Sequence, residues 1–78
     1  MGWGAGDTDK VVTAKTLTAQ TRMAISLTET KVKQLRDVLT SIAHTEKREP
    51  MLEALDQAEA FIRKGYEFLY DIDVHLNR

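Results

Sequence analysis

The chain has 78 residues, a mass of 8.8 kDa, no cysteine and a formal net charge of −1. That length allows one small domain, burying about 60% of the surface its unfolded form exposes. The composition excludes disulfide and thiolate-metal staples and gives no global field to steer nucleic acid or an acidic membrane.

Residues 1–9 hold three of the four glycines and show no hydrophobic period, which predicts a flexible leader ahead of one domain over 10–78. Trp3, the only tryptophan, falls in this leader and reads as a tail aromatic, free or loosely docked on a nearby helix.

From Lys10 to Ala43 there is neither glycine nor proline. Val11, Thr18, Ile25, Val32 and Leu39 recur every seven residues, and Ala14, Thr21, Thr28, Leu35 and Ile42 form a second column. The 3-4 spacing predicts a helix over about 11–43. Six of the nine threonines lie between Thr13 and Thr30. Threonine costs roughly half a kcal/mol against alanine inside a helix, so the expectation is a softer helix before Thr21.

The polar run 44–49 ends at Pro50, a residue favoured at the first helical position. A turn over 44–49 and a second helix over 50–76 follow. His44 reads as a polar group near the end of the first helix. In the second helix Leu55, Ile62, Leu69 and Leu76 form one column, and Met51, Ala58, Gly65 and Ile72 the other. Glu59, Arg63 and Glu67 stand four apart, as do Glu29 and Lys33, spacings that suit ion pairs along one helix.

The fold class is therefore all-α, an antiparallel coiled-coil-like hairpin. Its expected core is Val32, Leu35, Leu39, Ile42, Leu55, Ala58, Ile62, Gly65, Leu69 and Ile72. Ala58 and Gly65 let the backbones approach closely, and the longer first helix is expected to overhang its mate. Leu52 and Tyr66 flank the second seam on one side, Phe61 and Phe68 on the other, with Tyr70 further round. Leu17, Ala24 and Val38 widen the first helix's stripe likewise. One neighbouring helix covers a stripe, not a face this wide, so these five aromatic and aliphatic residues of the second helix are the candidate partner-binding set. The hairpin is expected to be completed by a partner chain, the staple that so small a scaffold needs.

Residues 10–36 carry six basic side chains against one acid, whereas 50–78 carry three against six. Opposite signs suit the antiparallel pairing. A basic strip for RNA lacks interleaved aromatics and a compact Lys/Arg cluster. Asp71, Asp73 and His75 do not share one helical face, no Glu-x-x-His pair occurs, and two histidines are too few for a histidine-built site, so neither metal nor other cofactor is expected. No phosphate loop or nucleophile elbow is present, and the chain reads as non-catalytic. Apolar runs stop at three or four residues, too short for a membrane span or an export segment, which makes the cytoplasm the expected location.

The stretch Pro50-Met-Leu-Glu-Ala-Leu-Asp-Gln-Ala-Glu-Ala-Phe-Ile, continued by Tyr66-Glu-Phe-Leu-Tyr70, resembles the second helix of the small E-component proteins of type III secretion needles. The likeness covers about a third of the chain; Lys31 to Ile42 agrees in pattern alone, and the Gly-Trp-Gly leader and threonine-rich start depart from it. The resemblance implies a cytoplasmic co-chaperone that pairs with a tetratricopeptide-like chaperone, the two together holding the needle subunit monomeric. Leu55, Ala58, Ile62 and Gly65 would then lie at or near shared packing, with Phe61 and Tyr66 as anchors. Two other readings stand beside it: a self-associating four-helix bundle with a structural or regulatory role, and an RNA-binding hairpin dimer.

Overall fold

A computed structural model describes residues 3–78; the first two residues of the predicted leader lie outside the described part. Two helices, α1 (Thr8–Thr40) and α2 (Thr45–Leu76), fold back on each other as an antiparallel hairpin. The molecule is rod-shaped, with Cα extents of 60 × 15 × 13 Å.

The leader is shorter than its glycines suggest. A turn closed by the Asp7 amide on the Gly4 carbonyl (2.9 Å) leads straight into α1, whose first bond runs from the Val11 amide to the Asp7 carbonyl (2.8 Å). Trp3 folds over the far end of α2 and donates its indole N–H to the Leu76 carbonyl at 3.3 Å.

The threonine-rich half of α1 is helical throughout. Hydroxyls that compete with the backbone instead bond back to it. Thr13, Thr16, Thr18, Thr21, Thr28 and Thr30 each donate to the carbonyl four residues earlier, at 2.7–3.2 Å. That pattern satisfies the hydroxyl inside the helix and leaves the methyl to pack. Thr18, so bonded, is buried.

The connection occupies 41–44, not 44–49, and α2 starts five residues before Pro50. The ending of α1 tightens through the Ser41 amide on the Val38 carbonyl and the Ile42 amide on the Leu39 carbonyl, each 3.1 Å. His44 is the N-cap of α2 rather than a C-terminal partner of α1: extended in backbone, it accepts the Lys47 amide on Nδ1 at 3.3 Å. Arg48 reaches back to the Ile42 carbonyl at 3.1 Å, locking the turn. Pro50 then sits in the second turn, where its missing N–H leaves only the exposed Glu46 carbonyl without a helical donor. Water can serve that group. With 33 and 32 residues the helices are matched in length, so the predicted overhang of α1 is absent.

The seam also differs from a simple heptad. Buried and half-buried positions in α1 are 11, 14, 18, 22, 25, 29, 32, 36 and 39, with an extra four-residue step after Thr18. Such a step follows the 3.6-residue turn of a straight helix rather than a strict 3.5 repeat. It moves the second column from Thr21, Thr28 and Leu35 onto Arg22, Glu29 and Arg36. Leu35 is consequently 47% exposed and leaves the predicted core. In α2 the same one-residue rotation puts Leu52, Tyr66 and Asp73 into the seam and turns Ile72 outward, 46% exposed. Leu55 and Leu69 are buried, and Val32, Leu39, Ile42, Ala58, Ile62 and Gly65 are half-buried. Close backbone approach at Gly65 is not required either: a Cβ there would meet Ile25 Cδ1 at 3.5 Å, an ordinary contact.

Candidate protein-binding face

Each helix residue is rotated by 100° from the last, so the residues just before and just after a seam position lie on opposite flanks of the helix. Antiparallel helices turn in opposite senses when viewed from one end, and they face each other. Residues one before the seam in α1 and one before it in α2 therefore share one flank of the hairpin, and residues one after share the other.

The two flanks differ in chemistry. On the trailing flank Arg36 bridges the helices, with Nη2 at 2.6 Å from Asp56 and 2.7 Å from Glu59, while its Nε–H donates to Glu59 at 2.9 Å. Those hydrogen bonds, donated to Asp56 first and Glu59 second in weight, push the Arg36 pKa above its ordinary value. Arg22 pairs with Asp73 nearer the open end. Glu59 thus turns across the hairpin to Arg36 instead of along its own helix to Arg63. Asp73 likewise goes to Arg22, away from Asp71 and His75; His75 Nδ1 approaches the Asp71 carbonyl at 2.8 Å. Among the described residues no group of three or more histidines and acids is arranged to hold a metal ion. A groove of about 100 Å³ on this flank is lined by Glu29, Val32, Lys33, Glu59, Ile62 and Arg63.

The leading flank is apolar. On α2 it consists of Met51, Ala54, Ala58, Phe61, Gly65, Phe68 and Ile72, an unbroken column at alternating steps of three and four. Phe61 is 73% and Phe68 67% exposed. On α1 the column from Leu17 to Val38 is Leu17, Thr21, Ala24, Thr28, Lys31, Leu35 and Val38, with one charge. Thr21 and Thr28 have their hydroxyls tied to the Leu17 and Ala24 carbonyls. Hydroxyls so occupied weaken the polar character of the face.

Of the five partner candidates read from sequence, the structure brings only Phe61 and Phe68 together on this flank. Tyr70, also exposed, projects on the ionic flank, one residue after Leu69. Leu52 and Tyr66 are half-buried in the hairpin itself. Sequence reasoning missed Leu35, Ile72 and Met51 as members of the exposed face because it assigned them to the core seam. The available signal was the alternation of α2: every leading-flank residue from Met51 to Ile72 is apolar, while the trailing positions Glu53, Asp56, Arg63 and Glu67 are charged.

Among the described residues no helix is long and apolar enough to cross a membrane. No protein-family model, curated protein or solved structure matches this chain.

Proposed function

We propose that this chain is a small non-catalytic co-chaperone of the bacterial cytoplasm. Its leading flank docks on a tetratricopeptide-like chaperone, and the pair keeps a type III secretion needle subunit monomeric. The observation that carries the docking role is the unbroken apolar column of α2, with Phe61 and Phe68 mostly in water. Burying each phenyl group is worth about 1.5–3 kcal/mol, a large fraction of what a 78-residue chain can have in reserve. A helical-repeat groove is a natural receptor, because an amphipathic helix inserts its apolar column by anchors at i, i+3 and i+7 spacings. The likeness of residues 50–70 to the needle E-components supports the choice of that chaperone class, and the same residues supply the column.

The test is reconstitution. The purified chain is mixed with the tetratricopeptide-like chaperone of a type III needle system and its needle subunit, and the products are separated by size exclusion. A stable ternary complex that is lost in Phe61→Glu and Phe68→Glu, with helicity by circular dichroism retained, is the expected result. No complex at micromolar concentration, or complexes indifferent to both substitutions, would overturn the proposal.

A further inference from the structure

We infer that the leading flank also accepts a second copy of this chain, with α1 of each copy laid antiparallel on α2 of the other in a two-fold four-helix bundle. The inference rests on the reading of this flank as a docking surface, not on the identity of the foreign partner.

Charge selects the pairing. Within α1 six basic residues stand against three acidic ones, a net +3; within α2 four stand against eight, a net −4. Laying α1 on α1 and α2 on α2 would oppose like with like. A two-fold axis parallel to the helices instead sets each α1 over the other copy's α2, so that every neighbouring pair is antiparallel and opposite in sign. That is the arrangement in which four-helix bundles pack best.

Side-chain size agrees with the same axis. Ile25 is level with Gly65, and Arg36 with Asp56 and Glu59. In that register Ala24 is level with Phe68, and Leu35 with Ala58. A two-fold parallel to the helices keeps those levels unchanged, so Phe68 meets Ala24 of the second copy and Ala58 meets Leu35 of the second copy. At these two levels large residues face small ones, as interdigitated packing requires. Gly65 faces the Thr28 level of the second copy, and Phe61 the level of Lys31, whose apolar stem can lie along the ring while its ammonium reaches water.

Area is adequate. The columns 17–38 and 51–72 each run about 32 Å at 1.5 Å per residue, and two helices side by side are about 20 Å wide. The flank projects roughly 640 Å², and its accessible area, raised by protruding phenyl rings, approaches the ~800 Å² per partner of a standard stable interface.

Sedimentation equilibrium of the full chain at high micromolar concentration tests this directly. The expected mass is twice 8.8 kDa. Leu35→Glu and Phe61→Glu, on different helices but one flank, should each return the mass to that of a monomer with helicity kept. Met23→Glu, at an exposed apolar residue on the other flank, should leave the dimer intact. Because the chain has no cysteine, single introduced thiols report geometry: a Leu35→Cys copy mixed with an Ala58→Cys copy should give a mixed disulfide. A monomer at all concentrations overturns the inference, as does a dimer that Phe61→Cys crosslinks to itself in preference, which would mean α2 lying on α2. A dimer that never binds the chaperone would remove the co-chaperone reading and leave this one standing; a chaperone-binding monomer would do the reverse.

Discussion

Gly65 is the residue whose replacement best separates the hairpin from what docks on it. It sits inside α2 with no positive φ to justify it. Glycine there costs about 0.8–1 kcal/mol against alanine in helix propensity. The methyl of Gly65→Ala would meet Ile25 Cδ1 at 3.5 Å, within ordinary van der Waals contact, so the hairpin itself offers no steric opposition. In the Phe61→Glu background, where association is removed, Gly65→Ala should stabilise the fold by nearly the whole propensity difference. For a chain of this size about 1 kcal/mol corresponds to a rise of roughly 4–8 °C in Tm. The assay is thermal denaturation followed by circular dichroism, repeated over a range of protein concentrations. In the otherwise native chain the same methyl intrudes on the leading flank, so the gain should shrink as concentration rises and the dimer fills. A Tm that falls, or stays put, in the monomeric background would refute the reasoning, because it would mean that α1 and α2 approach more closely at Ile25 than the structure places them.

Leu55→Ala removes the most deeply buried apolar side chain, 6% exposed, and should cost about 2–5 kcal/mol by urea titration. Phe61→Ala, by contrast, should leave monomer stability within about 0.5 kcal/mol of the parent. Arg36→Gln should lower Tm, by an amount that shrinks as salt is raised, since Arg36 and Asp56 are accessible to counterions. Because Asp56 and Glu59 hold the Arg36 pKa above its ordinary value, its contribution is present at every pH below that ordinary value. It is lost only as pH climbs through the still higher folded value, so melting curves should show no alkaline step attributable to Arg36 short of strongly basic solution. Trp3 fluorescence reports the clasp on Leu76 alone. Its emission should shift red at lower denaturant than the loss of helical signal, because an exposed terminal contact opens before the seam; coincident transitions would contradict that order.

The hairpin was legible because Val32, Leu39, Leu55, Ile62 and Leu69 keep one column through any choice of repeat. The second column was not. A period between three and four leaves two adjacent residues equally eligible at each turn, and apolar Leu35 looks the better core residue than Arg36. The structure prefers Arg36 because its stem can lie along the seam while its guanidinium leaves toward Asp56 and Glu59. Ile72 loses its place to Asp73 in the same way, through Arg22. A seam searched for complementary charges as well as for grease would have found the register. The connection was displaced because Pro50 was given the first helical position, whereas His44 and Arg48 supply enough capping bonds to start α2 earlier. The register alone reshapes the candidate face, and in both directions: Leu35 and Ile72 leave the core for the surface, while Leu52 and Tyr66 leave the surface for the seam.

The ionic flank gives the apolar one its usefulness. Among the described residues no side chain is completely buried, so the seam alone specifies the relative sliding of the helices weakly. The Arg36 bridge to Asp56 and Glu59 and the Arg22 bridge to Asp73 hold the helices at two levels, about 20 Å apart along α1 at 1.5 Å per residue. Two such ties fix translation and rotation together, the Arg22 pair from within the seam and the Arg36 bridge reaching to Asp56 on the side opposite the apolar columns. Phe61 and Phe68 are thereby kept level with the α1 column before anything binds. A face arranged in advance loses less freedom when it docks, and that saving appears as affinity. Charge pairs that add little to stability individually acquire a second role in this molecule, setting the geometry of a surface they do not touch. Removing Arg36 should accordingly weaken docking more than its distance from Phe61 suggests, even where helicity is unchanged.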